Sequence, residues 1–128
     1  MNLLLDTHIL LWAVSGDAQL SRKARAYLLD EDNAFFFSAA SIWEIGIKHA
    51  KHPEIMGISS AEARELFLEL GYQELPIRAD HGIAAESLPF LHNDPFDRIL
   101  IAQAKTESLR LLSHDRMLAQ YGNPVLAV

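Results

Sequence analysis

This sequence of 128 residues contains no cysteine. The absence excludes a disulfide framework and a thiolate metal site, and it fits a reducing compartment. No apolar run approaches the roughly 18 residues that a membrane span needs. Asp6 interrupts the apolar stretch at the N-terminus, which also lacks the basic start of a signal peptide. We therefore expect a cytoplasmic protein with no membrane partner.

Basic residues are also scarce, since 11 Lys and Arg stand against 17 Asp and Glu and give a formal net charge of −6. Proteins that bind nucleic acid mainly by neutralising phosphates are usually basic. The balance therefore disfavours a simple nucleic-acid-binding module. It disfavours a nuclease less, because acids gathered around divalent ions have their charge offset locally.

Half of the residues are hydrophobic, which argues against disorder, and the length suits one domain spanning residues 1–128. Short apolar runs alternate with segments of helical pattern, which predicts an α/β/α sandwich around a mostly parallel sheet. Strands are predicted at 3–5, 34–38, 72–77, 109–113 and 125–128, with Pro76 indicating an edge strand. Helices are predicted at 9–14, 22–29, 40–50, 60–70, 79–88 and 116–121, and from Asp97 onward.

Two acids follow predicted strands directly. Asp6 comes after the leucines at 3–5, whose continuous apolar character indicates a strand buried on both faces. Asp115 follows the predicted fourth strand in the same way. In open α/β sheets the carboxyl edge is where ligands bind. The alternative for each residue is a purely structural one, in which the aspartate caps the next helix.

Two further acids are placed by helices. Glu44 lies early in the helix that follows the second strand, where it could project over the carboxyl edge. Its alternative role is an ion pair with Lys48, four residues later. Asp97 heads the most apolar helix, where its alternative role is to stabilise the helix dipole. Four acids at one edge of a sheet are harder to explain structurally than any one of them.

Carboxylates that converge at a sheet edge repel one another, and a hard divalent cation removes the conflict. Oxygen ligands without cysteine suit Mg²⁺ or Mn²⁺. Such a site can activate water for in-line attack on phosphate, so the chemistry indicated is phosphodiester hydrolysis. A small phosphatase on a doubly wound sheet is a weaker alternative, because it usually needs an acid two residues after a nucleophilic Asp, and here that position is His8.

Four stretches resemble the PIN-domain family, and in particular the VapC-like ribonuclease toxins of bacterial type II toxin–antitoxin pairs. They are LLDTHILLW at 4–12, SAASIWEI at 38–45, DPFDRILIAQA at 94–104 and LSHD at 112–115. The stretches occur in the family's order and span nearly the whole chain. Each one alone is weak, but together they are highly specific.

The resemblance implies that Asp6, Glu44, Asp97 and Asp115 form the catalytic and metal-binding set. The aspartates would hold Mg²⁺, or Mn²⁺ as a substitute, and Glu44 would ligate it or position the attacking water. The resemblance further implies endoribonuclease activity on RNA, a homodimer, and inhibition by a cognate antitoxin that covers the acidic groove. Exposed apolar residues on the first helices are the candidate dimer surface. Thr7 and Ser113 match the family's small hydroxyl positions.

Several other residues lie beside the proposed site in the sequence. Asp94 is interpreted as shaping the loop rather than joining the metal site. His8 and His114 are left outside the catalytic set as structural residues, and Arg98 would pair with phosphate or with a carboxylate. A basic patch at the end of the third helix is either a solvated helix end or an RNA contact; it consists of Lys48, His49, Lys51 and His52.

A function of another class remains open, namely an inactive PIN-like domain that serves as a binding or assembly module. Such a module would have no need of the four acids, and their presence together argues against it.

Overall fold

The computed structural model describes residues 1–128, in which strands and helices alternate. The strands are β1 (Asn2–Leu5), β2 (Ala34–Ser38), β3 (Gln73–Leu75), β4 (Arg110–Ser113) and β5 (Val125–Ala127). The helices are α1 (Thr7–Ser15), α2 (Arg22–Leu29), α3 (Ala39–Lys51), α4 (Pro53–Met56), α5 (Ser60–Glu69), α6 (Ala79–Glu86), α7 (Pro95–Thr106) and α8 (Arg116–Ala119). None of them has the length and apolar character needed to cross a membrane.

The sheet is parallel throughout, with the strand order β3-β2-β1-β4-β5. The predicted edge position of the strand beside Pro76 is confirmed, because β3 has a neighbour on one side only. The chain moves outward from β1 through β2 to β3 and then returns to β4, on the other side of β1. This reversal creates a crevice at the carboxyl ends of β1 and β4.

The core lies on both faces of the sheet, because successive side chains of a strand point to opposite faces. Leu3 and Leu5 pack in a cluster with residues of α1, α2, α3 and α5. Leu4 packs in a second cluster, which is built mainly from α7, β4 and α8. All three leucines are fully buried. The predicted sandwich of helices on both faces of a sheet is therefore confirmed.

The start of α7 differs from the prediction by two residues. Helix α7 begins at Pro95 rather than Asp97, and Asp94 is its N-cap, accepting a hydrogen bond from the Phe96 N–H at 2.9 Å. Proline suits the first helical position, where a missing N–H leaves no bond unmade. The loop-shaping interpretation of Asp94 agrees with this capping contact.

A one-turn helix, α4, follows α3 and was not predicted. Pro53 follows the C-cap of α3 and opens α4 at its first position. Gly57 then ends α4 with a φ of 72°, in the left-handed region that glycine adopts without strain. Four residues are too few to show helical periodicity in a sequence.

The packing against the sheet predicts a large difference between two isoleucines. Ile101 on α7 is fully buried, whereas Ile83 on α6 is 69% exposed. Ile101→Ala should lower the free energy of unfolding by about 2–5 kcal/mol, because it removes contacts and leaves a cavity. Ile83→Ala should change it by no more than about 0.5 kcal/mol. Urea unfolding measures both, and equal losses would contradict this description of the core.

Candidate functional site

Asp6 lies at the carboxyl end of β1 and is the N-cap of α1. Its Oδ1 accepts a hydrogen bond from the Ile9 N–H at 2.9 Å, so the capping role is confirmed. Its Oδ2 accepts a hydrogen bond from the Ser113 hydroxyl. The residue is only 5% exposed. Burial raises the pKa of Asp6 above its ordinary value, although the hydrogen bonds from Ser113 and Ile9 act in the opposite direction.

Ser113 connects Asp6 to the acid that follows β4. The Ser113 hydroxyl donates to Asp6, and its oxygen accepts from the backbone N–H of Asp115 at 3.1 Å. Asp115 caps α8 through Oδ1, which accepts from the Met117 N–H at 2.8 Å. An ionised carboxylate has about four lone-pair sites. Capping therefore leaves both aspartates with acceptor capacity for a cation.

Asp97 occupies the first turn of α7, near the positive end of the helix dipole. Its Oδ2 lies 2.7 Å from Nε2 of His92. Burial is the main cause that raises the pKa of Asp97 to about 6. The negative charges of Asp94 and Asp115 act in the same direction, and the interaction with His92 opposes them.

Asp115 links the three aspartates electrostatically, because its charge raises the pKa of both Asp6 and Asp97. The three residues come from distant parts of the chain, which the parallel sheet brings to one edge. Like charges in a partly buried place disfavour simultaneous ionisation. A divalent cation would offset this repulsion, so the edge suits a cationic ligand.

Glu44, the fourth predicted acid, has a different partner. Its Oε2 lies 3.1 Å from Nζ of Lys48, one turn later on α3. The predicted alternative, an ion pair at this spacing, is confirmed. Glu44 is not among the charges that raise the pKa of Asp6 or Asp97, and its side chain is only 13% exposed. The structure thus brings three of the four acids together electrostatically and pairs the fourth with a cation.

Hydroxyl groups in the same stretches connect the helices that carry the acids. The Thr7 hydroxyl donates to the Ser41 hydroxyl at 2.9 Å, which joins α1 to α3. The Ser38 hydroxyl donates to Oε1 of Gln103 at 2.6 Å, which joins β2 to α7. All four side chains are buried. They fix the relative positions of these helices, because buried polar groups are costly to leave without partners.

His8 and His114 pack against one aromatic ring. The centroid of the Trp12 ring lies 5.6 Å from that of each histidine. Nδ1 of His114 also lies 2.8 Å from the backbone oxygen of Val128. These contacts agree with the structural interpretation of the two histidines.

Arg98 does not form the ion pair with a carboxylate that was one interpretation of it, because its guanidinium contacts other groups. It donates to four backbone carbonyl oxygens of residues 85–92 and to the hydroxyl of Tyr121. A guanidinium has five N–H donors in a fixed arrangement, so it can hold an irregular segment in this way.

His92 was missed by the sequence analysis, which assigned it no role. His92 lies two residues before Asp94 and five before Asp97. Residues at these separations can meet where a loop enters a helix, so the spacing could have indicated a contact with the acids. In the structure the ligand atoms of these three side chains all lie within 4.8 Å of one another.

A second group of potential ligands lies elsewhere, at the start of α6, and its contacts are structural. The buried His81 accepts a hydrogen bond at Nδ1 from the Arg78 N–H, at 2.9 Å, and its Nε2 lies 2.9 Å from Glu107. Arg78 also forms ion pairs with Asp80 and Glu107. Since both ring nitrogens of His81 already have partners, this group serves as a cap and an ion-pair network.

The all-parallel sandwich with carboxylates at its switch point defines an α/β protein with an acidic site. The PIN domain family profile matches residues 3–124, and this chain belongs to that family. The comparison with curated proteins finds no match.

Several solved structures share the fold at low sequence identity. VapBC2 from Rickettsia felis, bound to a promoter DNA fragment, matches with a TM-score of 0.72 and 15% identity over 100% of this chain and 98% of that one. A toxin–antitoxin complex from Klebsiella pneumoniae matches with a TM-score of 0.65 and 19% identity over 97% of this chain and 95% of that one. VapBC-5 from Mycobacterium tuberculosis matches with a TM-score of 0.65 and 15% identity over 99% of this chain and 97% of that one.

The raised pKa of Asp97 predicts a pH-dependent effect of Asp97→Asn. Asparagine can still accept the hydrogen bond from His92 but carries no charge. Because the folded pKa is about 6 and the unfolded value is near 3.8, ionisation of this group destabilises the wild type progressively as the pH rises between these values. In EDTA the variant should be more stable than the wild type above pH 6, by about 1 kcal/mol after allowance for partial exposure.

The measurement is urea unfolding of both proteins at a series of pH values. The difference should vanish below the unfolded pKa. Asp32→Asn serves as the control, because Asp32 is exposed in the turn before β2. A wild type that is as stable as the Asp97 variant at high pH would contradict the raised pKa.

Proposed function

We propose that this chain is the toxin of a type II toxin–antitoxin system, an endoribonuclease that hydrolyses RNA phosphodiester bonds with Mg²⁺ or Mn²⁺. The observation that carries the proposal is the convergence of Asp6, Asp97 and Asp115 at the carboxyl edge of the sheet. PIN domains are generally nucleases, which supports hydrolysis as the activity.

The donor chemistry of the three aspartates fits a hard divalent ion. All of the donors are carboxylate oxygens, and the chain has no cysteine that would favour a softer metal. Burial and the charge of Asp115 raise the pKa of Asp6 and of Asp97, so a bound cation would stabilise their ionised forms. Asp6, Asp97 and Asp115 would hold the ion, which would activate water and offset the charge that develops on phosphate during in-line displacement.

The chain's own contribution is to hold these carboxylates in place. Asp6 is restrained by its cap and by Ser113, and Asp115 is restrained by its own cap and the same hydroxyl. Restraint of this kind lowers the cost of organising the site when the substrate arrives. Glu44 would ligate the ion or orient the attacking water, and either role requires it to separate from Lys48.

RNA binding must overcome the repulsion between a polyanion and an acidic chain. The basic patch at the end of α3 could supply part of the attraction, because Lys48, His49 and Lys51 lie in the last turn of the helix that carries Glu44. We assign this patch to contact with the RNA backbone.

The antitoxin is proposed from the fold comparisons, since the similar structures named above are toxin–antitoxin complexes. An open groove of about 930 Å³ between α1, α4 and the end of α3 offers it an apolar surface; its lining includes Leu11, Trp12, Ile55, Met56 and Ile58. Apolar patches of this kind commonly mark protein interfaces. An antitoxin arginine among the aspartates would form strong charge-assisted hydrogen bonds.

A homodimer completes the proposal. Leu29 at the end of α2 is 81% exposed, as expected for the predicted apolar surface on the first helices. It borders a largely apolar cleft of about 270 Å³ with Leu20, Leu28 and Tyr72. We assign this cleft to the subunit interface.

The alternative of an inactive binding module predicts a chain that neither binds metal nor cleaves RNA. The ion pair that holds Glu44 to Lys48 is the observation that favours it. A Mn²⁺ titration of the wild type and of Asp6→Asn distinguishes the two, because a functional site binds the ion and loses affinity when Asp6 is changed.

The nuclease proposal predicts that the purified protein cleaves a mixed RNA pool with Mg²⁺ or Mn²⁺ and that EDTA stops the cleavage. The double variant Asp6→Asn, Asp97→Asn should lose it, because both ligands lose their charge. Asparagine caps helices as well as aspartate does, so α1 should remain intact.

A charge-matched control is Glu31→Gln, Asp32→Asn, which alters two exposed acids in the turn before β2. It should cleave like the wild type. Equal cleavage by the active-site double variant would indicate a contaminating nuclease or a wrong assignment of the site.

The role of Glu44 predicts unequal effects of two substitutions that break the same ion pair. Glu44→Gln should reduce cleavage at limiting Mn²⁺ by about tenfold or more, because it removes a group that acts on the ion or water. Lys48→Met should leave the dependence on Mn²⁺ nearly unchanged and weaken only RNA binding, since Lys48 belongs to the patch assigned to the RNA backbone and an ion pair at this helical spacing contributes only about 0.3–0.5 kcal/mol. Rates measured over a range of Mn²⁺ concentrations test this, and equal small effects would leave Glu44 as a structural residue.

A further inference from the structure

The segment between α6 and α7, residues 87–94, carries His92 to the edge of the candidate site. Nε2 of His92 lies 2.7 Å from Oδ2 of Asp97, and about four fifths of each side chain is buried. An ionised carboxylate can only accept hydrogen bonds, so Nε2 is the donor. Hydrogen bonds to charged groups at this distance are among the stronger ones in proteins.

Arg98 holds the backbone of this segment from the side of α7. Its guanidinium donates to the carbonyl oxygens of Ala85, Leu88 and Pro89 at 2.9, 3.2 and 2.9 Å. It also lies 4.7 Å from the ring centroid of Phe90, within the range of a cation–π interaction.

Tyr121, which follows α8, holds the same segment from the other side. Its hydroxyl oxygen accepts from the His92 backbone N–H at 3.1 Å and its hydroxyl hydrogen is donated to the Pro89 carbonyl at 2.8 Å. Two separate elements therefore fix the backbone of His92. The contact between the His92 ring and Asp97 therefore depends on a backbone that the fold holds in place, and not on a freely rotating surface side chain.

We propose that His92 is a positioning residue that orients the Asp97 carboxylate for the metal ion, an inference that rests on the proposed function. The hydrogen bond occupies Oδ2 and leaves Oδ1 as the oxygen available to the ion. It also restricts the rotation of a carboxylate that Asp94 and Asp115 repel. Hydrogen-bonding partners of metal ligands typically contribute about 10- to 100-fold in metal affinity.

The competing role for His92 is that of a direct ligand, because its ring nitrogen lies close enough to Asp94 and Asp97 to share an ion with them. The two roles differ in what can replace the imidazole. A positioning residue needs only an N–H donor to Asp97, which a glutamine amide supplies. A ligand gives its nitrogen lone pair to the ion, and glutamine could replace it only by turning its carbonyl oxygen to the ion and leaving Asp97 without the donor.

The test is calorimetric titration of the full chain with Mn²⁺ alone at neutral pH, so the readout is independent of RNA cleavage. His92→Ala and His92→Leu should both weaken binding by about 10- to 100-fold, because both lack the donor. Leucine fills much of the same space, which keeps the test informative if the alanine variant folds poorly. His92→Gln should bind close to the wild-type affinity, since its amide can donate to Asp97.

Two further variants calibrate the result. Asp32→Asn changes an exposed acid in the turn before β2 and should bind as the wild type does. Asp97→Asn should lose affinity, which shows that the titration reports on this site.

Each remaining outcome overturns the proposal in a different way. Equal losses in all three His92 variants would make the imidazole a ligand. Unchanged affinity in all three, with a loss in Asp97→Asn, would leave the metal site standing and remove the role of His92. Failure of the wild type to bind Mn²⁺ would overturn the proposed function together with this inference.

Discussion

The burial of β1 on both faces is the constraint on which the rest of the structure depends. Three successive leucines fill the two cores of the sandwich, so positions 3–5 admit no polar side chain. The first acid can therefore emerge only at the carboxyl edge. Because β4 pairs with β1 in parallel, its own end meets the same edge, and Asp115 follows it there. The position of the acids is a consequence of how the core is filled.

The acids are also prevented from moving apart. Asp6 and Asp115 are tied to the first turns of α1 and α8, and Asp97 is tied to His92. Free carboxylates would rotate away from one another into water, but Asp115 remains close enough for its charge to raise the pKa of Asp6 and of Asp97. The repulsion is thus retained in the folded chain, at some expense of stability, and a cation would relieve it. Functional sites commonly trade stability for such preorganisation.

Much of the fold could be predicted from sequence because its signals are local. The apolar run at 3–5, the aromatic run at 34–38 and the capping box formed by Ser59 and Glu62 each specify an element from neighbouring residues. The start of α7 was misplaced because the helix was predicted from the charged Asp97, although Pro95 is the residue that suits the first helical position. The one-turn α4 is too short to show any period.

The site was less predictable because it depends on contacts between distant residues. The aspartates could be proposed from strand ends and family resemblance, but the Ser113 hydrogen bond spans 107 positions and leaves no local pattern. The ion pair of Glu44 with Lys48 was foreseen as an alternative because it lies within one helix. The contact of His92 with Asp97 depends on a segment whose shape comes from Arg98 and Tyr121, which no periodicity encodes.

The capping roles of Asp6 and Asp115 have a consequence for how this chain could diverge. At these two positions a substitution can remove the negative charge and still cap the helix, since asparagine, serine and threonine are also good caps. A descendant released from selection for chemistry would still need a cap there, worth about 1 kcal/mol at each helix. Neutral drift should therefore pass through small polar residues at positions 6 and 115, while position 97, which caps nothing, is freer to vary. The residues found at the three positions in such descendants would then show whether the need for catalysis or the need for a helix cap persisted longer.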